Sequence, residues 1–386
     1  MLGPVPPQHG SLVLDAARSL ALAVSGNERV TVVVRRDTLA AAAPPAAAPP
    51  ADDKPPAAEA AAGPHVLLNF AVRTAIAGAV PPPVSITQSS LGGAAVVNMV
   101  LPSGGSGLFS KLKALATSGP HEYELAIEII VPAVPALAGF GLSIALRTFG
   151  VIQLHDLGGP PLGAVALSLN AGTIDIGGLA ADSLDVSAQA GSIAAADVIT
   201  AARHAHLETE AGRIDVAAVS AQSVLLRSSA GTIAAGLVSF ANSFTASTRL
   251  GEIRTAAVEC IEAPPPPPGA AAPTRSVSID VGAGKFTGSL AGHRFLTASV
   301  EVGTISATTS PAPGSMSTFK TKAGTIHLQL PSSFRGTIRR SGNFEIRSAA
   351  AVGLPNPHMV GDPALPDPSV VEVHGTPLSK VDLAFV

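Results

Sequence analysis

The sequence predicts an all-β chain wound as a single-stranded β-solenoid, a parallel β-helix of about 20 residues per coil, with irregular β caps. Two observations carry that expectation. A Gly-x-Ile triplet recurs at Gly172-Ile174, Gly191-Ile193, Gly212-Ile214, Gly231-Ile233 and Gly251-Ile253, with glycines 19, 21, 19 and 20 residues apart. Between the triplets, apolar and polar residues alternate at period two, as a half-buried strand requires. A helical repeat would space its apolar residues at 3.6 and exclude glycine from its interior.

Aligned on the glycine, the rows become columns. Leu167, Val186, Leu207, Leu226 and Ala246 precede it by five residues, and Val165, Leu184, Ala205, Val224 and Phe244 by seven. Leu179, Val198, Val219, Val238 and Val258 follow it by seven. Stacked coils lie about 4.8 Å apart, so like columns become ladders. The Ile column is expected inside, and the column between Gly and Ile (Thr173, Ser192, Arg213, Thr232, Glu252) outside. Each recurrent glycine marks a corner where the backbone bends in a way that a Cβ resists.

The pattern survives an interruption. Residues 262–276 read as a Pro-rich inserted loop, after which the triplet resumes at Gly284-Lys285-Phe286, Gly303-Thr304-Ile305 and Gly324-Thr325-Ile326. Glu252 and Lys285 then fall in one outward column on adjacent coils. Upstream, Gly150-Val151-Ile152 fits the same template. Downstream, Gly336-Thr337-Ile338 and Gly342-Asn343-Phe344 read as a degenerate last coil.

Four regions follow. Residues 1–64 hold a tail expected to be disordered over 1–10, a hairpin around Gly26-Asn27, and an Ala/Pro-rich linker over 40–64. Residues 65–144 hold strand-like segments (HVLLNFAVRT, PVSITQSS, AAVVNMVLP, EYELAIEIIVP) that form an irregular β cap or early coils. The solenoid proper spans 145–345, and a C-terminal cap or tail spans 346–386. Ends of such ladders need covers, because a bare strand edge invites pairing with another chain.

Composition narrows the function. Apolar residues make up 47% and charged residues 13%, enough for a long narrow core of Ala, Val, Leu and Ile. Net charge is −3 without a basic run, and aromatics total 3%, so neither phosphate binding nor base stacking is expected and nucleic acid is excluded as a partner. No secretory leader or membrane span is read: the uncharged window Ile129–Leu146 contains Pro132, Pro135, Gly139 and Gly141 and fits two strands around a loop. The default expectation is a cytoplasmic location, with the cell surface as the alternative.

Candidate chemistry is sparse. His204, His206, Glu208 and Glu210 alternate with Ala205 and Leu207 and project from one strand face, with Asp185 beside His206 on the neighbouring coil. Two imidazoles and carboxylates are the donor set of a zinc-like ion, and His204, His206, Glu208 and Asp185 are the metal candidates. The competing reading is an ordinary polar outer face. Cys260 falls in the column of Ala181, Thr200, Ala221 and Phe240, which suits a small buried ladder residue better than a nucleophile. Asp175 and Asp215 share a column two coils apart, about 10 Å, outside the retaining glycosidase geometry. No phosphate-cradling loop and no nucleophile–base pair are read, so neither catalytic residues nor a cofactor is expected.

The (A/T)-x-x-G-x-I rows, with HLQLPSSFRGTI at 327–338 and FGLSIALRTFGVIQL upstream, resemble the putative-adhesin family of β-solenoid domains of unknown function, in its fungal form. The similarity covers roughly 120–345. It implies a non-catalytic, adhesin-like interaction protein without catalytic residues to carry over. It also implies an N-terminal membrane anchor, which this sequence does not display. Expected partners are protein or carbohydrate surfaces, with self-association through the solenoid ends as a further route. The alternative is a carbohydrate-active β-helix enzyme.

Overall fold

A computed structural model describes residues 8–15, 19–25, 29–37, 65–74, 84–91, 94–100, 123–132, 139–155, 157–261, 274–342, 345–346, 358–360 and 368–385. Every regular element among them is a strand. The chain forms two compact units, Met1–Asp182 and Ser183–Val386. The Ala/Pro-rich segment 40–64 and most of the 262–276 loop lie outside the described residues.

Unit 1 contains β1 (Gln8–Asp15), β2 (Ser19–Ser25), β3 (Arg29–Asp37), β4 (His65–Thr74), β5 (Ser85–Leu91), β6 (Ala94–Val100), β7 (Tyr123–Pro132), β8 (Gly141–His155) and β9 (Leu157–Ile176). The four strand-like segments read from the cap region are β4 to β7. β8 and β9 pair in parallel with Gly150 on Gly172 and Ile152 on Ile174, and both isoleucines are fully buried. The expected hairpin at Gly26-Asn27 does not form. β2 lies parallel on the first half of β8 (Leu20 on Leu142), and β3 lies parallel on its second half (Val32 on Ile152). Both strands alternate cleanly and bury one face, Leu20, Leu22 and Val24, then Val30, Val32 and Val34. That face is satisfied by pairing along β8, whereas an isolated hairpin would leave it wet.

Antiparallel pairing closes unit 1. β4 joins β1 and β7, β7 runs parallel to β3, and β5 joins β6, which runs parallel to β2. Gln8–Gly10, expected in the disordered tail, open β1. The division at residue 182 falls inside the stretch read as one solenoid because β2 and β3 pair with β8 and draw 141–176 into the N-terminal unit.

Unit 2 takes all but the first residues of β10 (Leu179–Cys260). It adds β11 (Ser276–Ala291), β12 (Phe295–Ser310), β13 (Met316–Leu330), β14 (Gly336–Ser341), β15 (Glu345–Ile346), β16 (His358–Val360), β17 (Ser369–His374) and β18 (Ser379–Phe385). β10 to β13 pair in parallel, and Gly251, Gly284, Gly303 and Gly324 share one register. Each of these glycines has φ between 141° and 143°. A Cβ on any of them would overlap the carbonyl oxygen of the glycine before it, and the same holds for Gly212 over Gly191 and Gly231 over Gly212. Positive φ and close backbone approach both demand glycine here.

Ile193, Ile214, Ile233, Ile253, Phe286, Ile305 and Ile326 are each 0% exposed. Full burial of such a side chain contributes roughly 1.5–3 kcal/mol. One column departs from expectation: Val198 is 55% exposed and Ile199 is buried in its place. The row from Gly191 to Gly212 is 21 residues long, and the extra length shifts the inward position by one.

The C-terminus corrects the expected order of coils. β14 does not lie on β13. β17 pairs in parallel with β13 (Met316 on Val370) and with β14 (Val370 on Thr337), so it stands between them. β18 likewise pairs with β13 (Ile326 on Val381) and with β15 (Val381 on Ile346). The last residues of the chain therefore fill the layer between 316–330 and 336–346. Alternation at Val371, Val373, Val381 and Leu383 buries one face against those neighbours and makes the insertion favourable.

Candidate functional site

Two outer surfaces of unit 2 gather side chains with chemistry. The first carries the predicted histidine cluster. Asp185 sits between the two imidazoles, 3.2 Å from His204 Nε2 and 3.7 Å from His206 Nδ1. Glu208 lies 3.4 Å from His206 Nε2 and 3.5 Å from Arg227 Nε. The structure thus joins all four candidates in a chain of polar contacts that ends on Arg227. Among the described residues, no group of three or more His, Cys, Asp or Glu side chains is placed to hold a metal ion.

The second surface is a groove of about 480 Å³ floored by small residues, Ala217, Ala234, Gly236 and Ala256. Asp215 stands on one side, paired with Arg213 at 2.5 Å. Glu252, Arg254 and Lys285 stand on the other, with Arg254 Nη2 donating to Glu252 Oε2 at 2.6 Å. The expected Glu252–Lys285 register is present. The hydrogen bond from Arg254, and after it the charges of Arg254 and Lys285, hold the Glu252 carboxyl below its ordinary range against the opposing effect of burial. A carboxyl held ionised accepts hydrogen bonds but does not serve as a general acid near neutral pH. Asp175, the other half of the predicted carboxylate column, lies in unit 1 opposite Gln153.

Cys260, expected to be buried, is half-buried, and burial is the larger influence that pushes its thiol up. A raised thiol is a poor nucleophile. Sequence reading missed His293. Its ring is fully buried, its Nε2 lies 2.9 Å from Ser317 Oγ, and burial lowers its pKa to about 4. The available signal was Ser317, a hydroxyl in a column otherwise filled by apolar residues such as Phe244, Val277 and Leu296.

A further apolar row flanks the glycine corner, where Leu250, Ala283, Val302 and Ala323 align across four strands. Leu250 and Val302 are 60% and 57% exposed. In unit 1, Ser11, Asn69 and Glu128 form a row across β1, β4 and β7 beside a cleft of about 660 Å³. Ser11 Oγ donates to Asn69 Oδ1 at 2.7 Å, Asn69 Nδ2 donates to Glu128 Oε2 at 3.2 Å, and Arg35 pairs with Glu128 at 2.8 Å.

These features define an all-β protein with a long parallel ladder and charge-paired outer surfaces. No family model matches the sequence, and no curated protein matches it. Among solved structures, the chain is similar to a putative cell adhesion protein from Clostridium sporogenes ATCC 15579, at 8% identity over 99% of this chain and 100% of that one. The TM-score of that similarity is 0.18, too low to bear on fold or function. No described helix is long and apolar enough to cross a membrane.

Proposed function

We propose that the chain is a non-catalytic β-solenoid scaffold of about 20 residues per coil, whose outer walls bind a protein or carbohydrate surface in the manner of an adhesin. The observation that supports this reading is the common register of Gly251, Gly284, Gly303 and Gly324. It turns each outward column into a straight row at about 4.8 Å spacing, a fixed template for a repetitive partner. The exposed Leu250 and Val302 supply apolar contact area beside the glycine corner, and the paired charges of the groove supply hydrogen bonds at its rim. Residues 145–345 form the scaffold in this reading, with caps on either side.

Binding is tested on arrayed glycans and on a cell-surface protein panel with the full chain and with Leu250→Ser/Val302→Ser. The reading expects saturable binding that the double variant weakens at least tenfold. Equal binding by both proteins, or none by either, contradicts it.

The groove favours a second reading, because it brings Asp215 and Glu252 together with Arg254 and Lys285. A carbohydrate-active enzyme would place its carboxylates there. Release of reducing ends from acidic and neutral polysaccharides, abolished by Glu252→Gln, would replace the scaffold reading with this one. The depressed Glu252 carboxyl favours the scaffold.

A further inference from the structure

The groove of unit 2 gathers Arg213, Arg254 and Lys285 against Asp215 and Glu252, in a chain whose net charge is −3. Arg213 is engaged by Asp215, and Arg254 by Glu252. Lys285 lies beside Glu252 in the ladder and adds its charge to the field at that carboxyl, but it forms no ion pair with any described residue. A positive charge is therefore left over at the β11 end of the groove. Thr287 lines the same end, two residues along β11 and so on the same face as Lys285. Its Oγ1 is buried and has no hydrogen-bond partner. A hydroxyl in that position costs free energy that an incoming acceptor recovers.

The rest of the groove restricts what that acceptor belongs to. The floor offers only the methyl groups of Ala217, Ala234 and Ala256 around Gly236, where a Cβ would strike the Ala217 carbonyl oxygen. No described lining residue is aromatic. Small-ligand sites of this size draw most of their grip from apolar and aromatic walls, so here charge must supply what the floor does not. β11 is paired on both sides, with β10 and with β12, which leaves no free strand edge there for a peptide to extend. Asp215 and Glu252 repel a dense polyanion, while Lys285 attracts one carboxylate at a time. A flat ring with a single carboxylate, flanked by neutral rings, meets all of these conditions.

We propose that the groove binds an acidic glycan in which charged and neutral sugars alternate. A uronate carboxylate accepts a hydrogen bond from Thr287 Oγ1 and pairs with Lys285, while the sugar rings lie across the alanine floor. The proposal rests on the scaffold reading and names the ligand class for one of its walls.

The test is calorimetric titration of the full chain with hyaluronan oligosaccharides, in which glucuronate and N-acetylglucosamine alternate. Saturable binding is expected, weakened about fivefold by Lys285→Gln, the upper end for one exposed charge pair. Lys322→Gln removes the same charge from the pair with Glu301 outside the groove and is expected to leave binding unchanged. Methyl esterification of the oligosaccharide removes its carboxylates and should weaken binding to the unaltered chain by at least as much as Lys285→Gln. Absence of saturable binding overturns the proposal, as does an equal loss from both lysine variants or equal binding of the methyl ester. Tighter binding of polyglutamate than of hyaluronan also overturns it, in favour of an acidic protein partner. Any of these results combined with binding of another glycan or protein through Leu250 and Val302 removes this proposal alone and leaves the scaffold reading in place.

Discussion

Gly251 and Gly284 stand side by side in one ladder although 33 residues separate them in sequence. A Cβ on Gly284 would overlap the Gly251 carbonyl oxygen, and Gly284 holds φ at 143°. The inserted loop is thus accommodated without disturbing the corner on either side.

Shortening that loop tests how independent it is. Replacing residues 262–273 with four Gly/Ser residues is expected to change stability by less than about 1 kcal/mol, because closure entropy varies by only about 0.6 kcal/mol per doubling of loop length. Urea denaturation with an unchanged m-value checks this.

The corner glycines should tolerate nothing larger. Gly303→Ala combines positive φ with overlap on Gly284, and a loss of more than about 2 kcal/mol is expected. The midpoint of urea unfolding reports it. Gly282 in the neighbouring strand β11 separates the two effects, because its φ is not positive while a Cβ there would still crowd the Arg249 carbonyl oxygen at 2.5 Å.

Inward and outward columns should respond differently. Ile305→Ala opens a cavity in the fully buried column and is expected to cost about 2–5 kcal/mol. The preceding outward residue, Thr304→Ala, should stay within about 0.5 kcal/mol of the parent. Similar costs at both positions, measured by thermal and chemical unfolding, would show that the two faces are not separated.

His293 makes the protein acid-sensitive. Its folded-state pKa of about 4 lies below the ordinary histidine value, so the unfolded chain binds the proton first as pH falls. Its contribution is fully present above about pH 6.5 and is lost as pH falls toward 4, amounting to about 3 kcal/mol across that window. In His293→Gln, the slope of unfolding free energy against pH over that interval should flatten. NMR titration of the His293 ring checks the pKa itself.

Removing Arg254 should raise the Glu252 pKa, since the hydrogen bond from that guanidinium is the largest influence holding it down. Carboxyl-detected NMR of Arg254→Ala is expected to show an upward shift, reduced but not erased by the remaining charge of Lys285.

Much of the parallel ladder was legible because glycine and isoleucine recur for reasons that act on each row alone: a corner needs positive φ, and a buried wall needs an aliphatic side chain. What escaped depends on relations that leave no period. β17 lies between β13 and β14 through pairing distant in sequence, and nothing in SVVEVH announces which strands it joins. β2 and β3 carry the alternation of a hairpin, and only their parallel pairing with β8 shows that they do not pair with each other. Arg254 neutralises Glu252 from two residues away on the same strand, a pair hidden by reading only between coils. His293 sits beyond the periodic positions, so its burial was not readable from column logic. In the histidine cluster, Asp185 and Glu208 engage imidazoles and Arg227 in sequence along the wall, a run of contacts that the alternation of one strand does not announce.

If the glycine rows of unit 2 are successive layers, distance along an outward column grows by one strand spacing per row. Spin labels at Ser192→Cys and Thr325→Cys in a Cys260→Ser background span six layers, and labels at Glu252→Cys and Thr325→Cys span three. Pulsed electron paramagnetic resonance should give label separations that differ by about 14 Å between the two pairs, an increment of about 4.8 Å per layer. Separations that do not grow with the number of intervening rows would contradict the account.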